Sequence, residues 1–168
     1  MQLFVLETGG TINGILDPGA VAPTSSRVAA WLYRHAGRLQ LQPQVQIIAM
    51  KDSRAIDGDD RQRLAAAVEA APVQRILIPH GTYTMPETGR YLREHLSEQS
   101  LAKSVVLVGS MTPLGEPASD APAALEFALA TLREKPVGVW IAVGGRVWDP
   151  HAVVKDPATG NYVPHQRP

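Results

Sequence analysis

The apolar positions of the chain fall into a repeated pattern of short aliphatic runs followed by stretches with helical spacing. The aliphatic runs predict buried strands over residues 2–7, 45–50, 76–78, 104–108 and 138–142. The intervening stretches predict helices over 27–37, 61–71 and 89–96, and a further helix that follows Asp120 and ends near residue 132. Strand and helix alternate, which is typical of an α/β fold. We therefore predict a three-layer, doubly wound, mainly parallel sheet of the Rossmann or flavodoxin type, in one domain over residues 1–168.

Polar side chains and glycines are concentrated where the predicted strands end. These segments are residues 8–11, 52–53, 80–84 and 110–112. Right-handed crossovers place all strand-to-helix loops at one edge of such a sheet, and ligands bind at that edge. We expect the four segments to converge there. Residues 12–24 are expected to form a loop, residues 146–148 a hairpin partner of the last strand, and the tail after Pro150 to be irregular.

Composition and charge narrow the classes of function. The chain has 168 residues, of which 45% are hydrophobic, with 16 basic and 16 acidic side chains and no cysteine. Balanced charge gives no indication of a nucleic-acid partner, and the absence of cysteine excludes disulfides and thiolate metal sites. No apolar run reaches membrane-spanning length, and the N-terminus lacks the features of a signal peptide. We expect a cytoplasmic protein without a membrane partner, a metal or a cofactor.

The chemistry of the predicted site depends mainly on threonines. A threonine hydroxyl needs a base before it becomes a nucleophile, and adjacent glycines let backbone N–H groups point at a developing oxyanion. Thr8-Gly-Gly-Thr11 and Gly81-Thr82 supply this combination, although a glycine pair after a strand is also consistent with a simple turn. His80 is either a base or, more often for such a position, a packed histidine. Asp120 alone indicates a helix cap, and Lys155 alone indicates a surface lysine.

Five segments in the right order resemble the N-terminal domain of bacterial-type L-asparaginases and glutaminase-asparaginases. The family forms are TGGTI, DS or GS, HGTDTM, SADGPANL, and a GRV-like strand followed by a lysine. This chain has Thr8-Gly-Gly-Thr-Ile12, Asp52-Ser53, His80-Gly-Thr-Tyr-Thr-Met85, Ser119-Asp-Ala-Pro122 with Leu125, and Gly145-Arg-Val-Trp-Asp149 leading to Lys155. The resemblance covers essentially the whole chain. It is specific because several motifs occur in the family's order.

The resemblance implies an amidohydrolase that converts a small carboxamide, asparagine or a related amide, to the acid and ammonia through a threonine acyl-enzyme. It assigns Thr11 as the nucleophile, Thr82 as the second catalytic threonine and Lys155 as the catalytic lysine. The implied substrate-binding residues are Ser53, which holds the substrate's α-carboxylate in the family, and its neighbours on the same loops. These neighbours are Asp52, Gly10, Gly81 and Ser110.

Three features depart from the family pattern. Tyr83 stands where the family has an aspartate that contacts the substrate's ammonium group, and a phenol carries no charge near pH 7. The loop after the first motif has no tyrosine at the family position, which falls at about Val21. The chain also stops before the family's second domain, so we predict a short single-domain member. We hypothesise that the Tyr83 phenol replaces the missing loop tyrosine as a proton relay for Thr11, and we count it among the catalytic residues.

Two other functions remain open. An asparaginase-like domain with altered site residues would bind a small amide or amino acid without turnover, or serve as a regulatory subunit. A phosphate-binding flavodoxin-like domain is a weaker alternative, because neither common phosphate-loop motif is present. Family members assemble from intimate dimers, so the resemblance also implies a homo-oligomer, either a dimer or a tetramer.

Overall fold

A six-stranded sheet forms the centre of the computed structural model, which describes residues 1–134 and 137–165. Its strands are β1 Gln2–Gly9, β2 Gln42–Lys51, β3 Arg75–Pro79, β4 Ser104–Val108, β5 Gly138–Val143 and β6 Arg146–Trp148. The spatial order is β2-β1-β3-β4-β5-β6. The strands β1 to β5 run parallel, and β6 returns antiparallel to β5. The predicted mainly parallel sheet and the predicted hairpin partner are both confirmed.

Helices cover both faces of the sheet. They are α1 Arg27–His35, α2 Gly58–Ala70, α3 Met85–His95, α4 Glu98–Leu101 and α5 Ala121–Glu134. One hydrophobic cluster joins the sheet to α1 and α5, and a second cluster joins it to α2 and α3. This arrangement confirms the three-layer α/β fold.

The middle of β3 shows why the sequence has continuous aliphatic runs rather than alternation. Leu77 packs into the cluster on the α1 and α5 side, whereas Ile76 and Ile78 pack into the cluster on the α2 and α3 side. All three side chains are fully buried. Successive strand residues point to opposite faces, so a strand that is covered on both faces needs apolar residues at every position.

The helix starts are set by local side-chain chemistry. The Ser26 hydroxyl accepts the N–H of Ala29 at the start of α1, and Asp57 forms a reciprocal capping box with Asp60 at the start of α2. The prediction that α3 begins near residue 89 was wrong, because α3 begins at Met85. A proline is favourable in the first turn of a helix, so Pro86 and Glu87 belong to α3 rather than to the loop before it.

Two further expectations need correction, and one helix was not predicted. The tail is not irregular throughout, since β7 Val153–Lys155 and β8 Tyr162–Pro164 form an antiparallel hairpin. Residues 166–168 of that predicted tail lie outside the described residues. The short helix α4 was not predicted. Asp120 does precede α5, but its carboxylate accepts the N–H groups of Met111 and Thr112 instead of capping the helix. Across the described ranges, no helix combines the length and the apolarity that a bilayer crossing requires.

Candidate active site

The carboxyl ends of four parallel strands bring the predicted loops into backbone contact. A Cβ atom on Gly10 would lie 2.3 Å from the backbone nitrogen of Gly81. A Cβ atom on Gly81 would lie 2.7 Å from the Ser53 hydroxyl oxygen, and one on Gly109 would lie 2.6 Å from the carbonyl oxygen of His80. These separations are too short for any side chain. Glycine is therefore required at these positions, because it lets the loops after β1, β2, β3 and β4 meet.

His80 is a structural residue rather than a base. Its side chain is fully buried, with Nδ1 2.7 Å from the carbonyl oxygen of Gly81 and Nε2 3.0 Å from the Thr88 hydroxyl. A carbonyl oxygen only accepts, so Nδ1 carries the proton, and Nε2 accepts from Thr88. Burial lowers the pKa of His80 to about 4, so the ring is neutral near pH 7. The packed interpretation of this histidine is supported by both contacts.

Thr82 lies at the centre of the site and is bound by the hairpin of β7 and β8. Lys155 Nζ donates a hydrogen bond to Thr82 Oγ1 at 2.7 Å, across 73 residues of sequence. The Tyr162 hydroxyl donates to the carbonyl oxygen of Thr82 at 2.7 Å. Burial raises the pKa of Tyr162, so its phenol stays protonated and acts as a fixed donor. The hairpin that was expected to be irregular is thus the element that positions Lys155.

The environment of Lys155 favours its neutral amine form more than water does. Burial is the main cause that lowers the pKa of Lys155, and the positive charge of Arg54 lowers it further. The carboxylate of Asp52 acts in the opposite direction and is the weakest of the three influences. A lysine that loses its proton more easily beside a hydroxyl is suited to general-base chemistry.

Tyr83 lies beside two cations. Lys155 Nζ is 3.9 Å from the centroid of the Tyr83 ring, and the guanidinium carbon of Arg54 is 4.5 Å from the same centroid. The tyrosine is about half exposed. Its hydroxyl makes no hydrogen bond to Thr11 or to any other part of the described chain. The relay hypothesis for Tyr83 stays a prediction.

Asp52 is engaged within the protein. Its Oδ1 accepts from Arg54 Nε at 2.8 Å, and its Oδ2 accepts from the Nη2 group of Arg54 at 3.0 Å. The carboxylate is buried, and this pairing with Arg54 lowers its pKa. Both oxygens of Asp52 are therefore already satisfied by a bidentate ion pair.

Two predicted substrate-binding serines also have partners inside the protein. The buried Ser53 hydroxyl accepts the N–H of Thr84 at 3.3 Å, and the Ser53 carbonyl accepts the Thr84 hydroxyl at 2.6 Å. The buried Ser110 hydroxyl donates to the carbonyl of Thr112 at 2.7 Å. Both serines lie at the predicted edge of the sheet, and their contacts to a substrate stay predictions.

Thr11 begins a short 3₁₀ helix, Thr11–Asn13, directly after β1 and Gly10. Its side chain is partly exposed, and its hydroxyl forms no hydrogen bond within the described residues. The N–H of Gly10 donates to the carbonyl of Lys51 at 2.8 Å, so this amide is not free to act as an oxyanion donor. The amides of Thr11, Gly81 and Thr82 donate to no acceptor in the described chain. They are the better candidates for the oxyanion donors.

A buried polar network lies behind the Thr11 loop, and it was not predicted from the sequence. Glu7 is fully buried, and it accepts from Asn13 Nδ2 at 2.8 Å and from the Ser26 hydroxyl. Burial raises the pKa of Glu7 to about 7. Ser26 also lies 3.2 Å from Asn13 Oδ1. A protonated Glu7 can donate to Ser26, and Ser26 can then donate to Asn13, which closes a cycle of hydrogen bonds. No local pattern signalled this network.

A cavity of about 260 Å³ opens beside Thr82. Its wall includes Ser110, Asp120, Arg146 and Tyr162. Of the residues in this wall, only Thr82 and Ser110 were predicted from the sequence to be site residues. The local signal for Tyr162 was absent, because it lies in a segment rich in proline and polar residues. Among the described residues there is no group of three or more histidine, aspartate or glutamate side chains that could hold a metal ion.

The fold and the site together define a three-layer α/β domain with threonines at the carboxyl ends of its strands. A lysine, Lys155, donates a hydrogen bond to one of these threonines, Thr82. The family model described as "Asparaginase, N-terminal" matches residues 2–161. The chain belongs to this family.

Individual relatives agree with this assignment. The L-asparaginase of Thermococcus kodakarensis is 33% identical over 145 residues, which cover 84% of this chain and 44% of that protein. The solved structure of the thermostable L-asparaginase from Thermococcus kodakarensis gives a TM-score of 0.82 at 31% identity, covering 100% of this chain and 52% of the other. A probable cytoplasmic L-asparaginase from Campylobacter jejuni gives a TM-score of 0.77 at 28% identity, with 92% and 49% covered. The chain thus spans about half the length of these relatives.

Proposed function

We propose that this domain hydrolyses a small carboxamide, asparagine or a related amide, to the corresponding acid and ammonia through an ester on a threonine. The observation that carries the proposal is the 2.7 Å hydrogen bond between Lys155 Nζ and Thr82 Oγ1. It joins a lysine of lowered pKa to a hydroxyl on a loop whose backbone touches the loop of Thr11. Membership of the asparaginase family supports the same reaction class.

In the proposed reaction, Thr11 Oγ attacks the carboxamide carbon, and its proton passes to the pair formed by Thr82 and neutral Lys155. The free amides near Thr11 and Gly81 stabilise the oxyanion. The C–N bond then breaks, the leaving nitrogen takes up the proton, and ammonia departs. In the second half, the same pair takes a proton from water, and the hydroxide attacks the ester. The C–O bond to Thr11 breaks, Thr11 recovers the proton, and the acid is released.

The test is ammonia release by the purified chain from asparagine, glutamine and succinamate. We expect Thr11→Ala to lower kcat/KM by at least about a thousandfold, since loss of a nucleophile removes the covalent route. Thr11→Ser keeps a hydroxyl and should retain measurable turnover. The proposal is wrong if Thr11→Ala is as active as the wild type.

The position of the covalent intermediate needs its own measurement, because Thr82 is the threonine that contacts the lysine. Rapid acid quenching during turnover, followed by peptide mass spectrometry, locates the acyl group. An adduct on Thr11 supports the assigned roles, whereas an adduct on Thr82 exchanges the roles of the two threonines.

The alternative is a domain that binds a small amide without turnover. The observation that favours it is Tyr83, an uncharged side chain where the family has a carboxylate. Saturable binding of an amide by calorimetry, with no ammonia released by the wild type, would establish this alternative.

A further inference from the structure

We propose that the site selects carboxamides that carry a carboxylate but no ammonium group, that is, monoamides of simple dicarboxylic acids such as succinamate. This inference rests on the proposed amide hydrolysis and names its substrate class. It comes from the charged groups around Tyr83, which are two cations and one carboxylate that is already paired.

The first step of the argument is the charge beside Tyr83. Arg54 and Lys155 both lie over its ring, at 4.5 Å and 3.9 Å from the centroid. An ammonium group brought to this ring would meet two positive groups, or one if Lys155 has lost its proton. Like charges at such separations repel, and they do so more strongly where the site is partly buried.

The second step concerns the carboxylates that might compensate. Asp52 is the one carboxylate that acts on Lys155, and both of its oxygens are bound by Arg54. Asp17 lies on an exposed loop, and its charge has the weakest effect among the causes that shift the pKa of Arg54. Among the described residues, no carboxylate in contact with Tyr83 or Lys155 is free to receive an ammonium group. An ammonium group beside Tyr83 and Lys155 therefore meets no free carboxylate in contact with these two side chains. The carboxylate in the wall of the cavity beside Thr82, that of Asp120, already accepts the backbone N–H groups of Met111 and Thr112.

The third step concerns the donors that remain. Arg54 uses Nε and Nη2 for Asp52 and for the carbonyl of Leu16. Its Nη1 group donates to nothing within the described residues. The guanidinium therefore keeps two uncommitted N–H donors at a half-exposed position, and such donors suit a carboxylate. The same side chain that repels an ammonium group is available to an acid.

The experiment compares kcat/KM for succinamate and L-asparagine, two amides that differ in the α-ammonium group. We expect succinamate to exceed asparagine by at least tenfold with the wild type. Tyr83→Asp restores a negative charge beside the ammonium position and should shift the ratio toward asparagine by at least tenfold. Tyr83→Phe keeps the ring and adds no charge, so it should keep the ratio of the wild type.

A binding measurement separates failure of this inference from failure of the proposed reaction. The Thr11→Ala variant is titrated calorimetrically with succinamate and with asparagine. Tighter binding of succinamate supports the inference even if no variant releases ammonia. Equal or tighter binding of asparagine, or a ratio that Tyr83→Asp leaves unchanged, overturns the inference even if amide hydrolysis is established.

Discussion

At the scale of single residues, the role of Lys155 changes most between sequence and structure. In the sequence alone, it follows the apolar pair Val153-Val154 and precedes Asp156, and it indicates a surface position. In the fold, it is partly buried against Thr82 and Tyr83, and its charge is opposed by burial and by Arg54. The same side chain therefore serves as a tuned amine because of neighbours from distant parts of the chain.

We predict that activity depends on the deprotonation of Lys155. With a lowered pKa, the lysine gains its neutral form as pH rises, so kcat/KM should rise with pH, and the midpoint of the rise should lie below the ordinary lysine pKa of 10.5. Lys155→Met should lower kcat by about 10² to 10⁴, the usual contribution of a general base. Arg54→Gln removes a positive charge and frees the Asp52 carboxylate. Both effects raise the pKa of Lys155.

The dependence of kcat/KM on pH, measured for the wild type and for the variants, tests this prediction. The rising limb of Arg54→Gln should move to higher pH than that of the wild type, whereas Arg38→Gln, at an exposed ion pair with Glu126, should leave the limb in place. A limb that stays unchanged in Arg54→Gln would contradict the electrostatic role of Arg54.

At the scale of elements, the site exists because strand-end loops approach each other closely. The loop after β1 and the loop after β3 touch at Gly10 and Gly81, and the loop after β4 touches β3's loop at Gly109. Gly10 and Gly81 lie within the motifs Thr8-Gly-Gly-Thr11 and His80-Gly-Thr82. The glycines of these motifs are therefore needed for backbone contact between the loops, just as the threonines are needed for the proposed chemistry.

We predict that Gly10→Ala destabilises the protein and separates the two threonine loops. Gly10 has φ of 79°, and its Cβ would lie 2.3 Å from Gly81 N. With ψ of −178°, Gly10 lies in a positive-φ region that is essentially confined to glycine, where strain costs about 1–3 kcal/mol, and the clash adds about 1–3 kcal/mol. Gly145 has φ of 70° and no atom within 4 Å of its Cβ position. Gly145→Ala thus measures the strain alone.

Urea unfolding and the ammonia assay together test the element prediction. Gly10→Ala should lose more free energy of unfolding than Gly145→Ala and should also lose activity. Equal losses in the two variants would mean that the loops move apart without cost, and the proposed packing of the site would be wrong.

At the scale of the whole molecule, two buried titratable groups have opposite effects on stability. Glu7 has a pKa raised from 4.5 to about 7, so its contribution is present below pH 4.5 and is lost as pH rises to about 7. His80 has a pKa lowered from 6.5 to about 4, so its contribution is present above pH 6.5 and is lost as pH falls to about 4. Each shift corresponds to about 3 kcal/mol, and the two nearly cancel in the shared window.

We therefore predict that the free energy of unfolding of the wild type varies little between pH 4.5 and 6.5, within the range that the two shifts share. Glu7→Gln keeps a donor and an acceptor for Ser26 and Asn13 but removes the titration. The effect of His80 then remains alone, and stability should rise with pH by about 3 kcal/mol across the window. Glu98→Gln removes an exposed carboxylate and serves as the control. Parallel curves for Glu7→Gln and the wild type would refute the prediction.

Assembly also belongs to this scale. The expected homo-oligomer stays a prediction, and sedimentation equilibrium of the purified chain measures it. The cytoplasmic location likewise stays a prediction.

The sequence by itself determined the layers of the fold and the loops that form the site. Aliphatic periodicity reports burial, which is a local property of each segment, so the strands, most helices and the α/β class could be predicted. The motifs around Thr11 and Thr82 mark strand ends, and parallel connections bring such ends together at one edge.

Only the tertiary structure decided which polar groups meet. Lys155 contacts Thr82 across 73 residues of sequence, and Tyr162 contacts it across 80. Both side chains lie on the hairpin of β7 and β8, which no hydrophobic periodicity predicted. The burial of Glu7 and the contact of Asp120 with the loop after β4 were equally absent from the local pattern. The physical reason is that hydrogen bonds and charge effects act over a few ångströms in space, and chain neighbours are only a few of the groups within that distance.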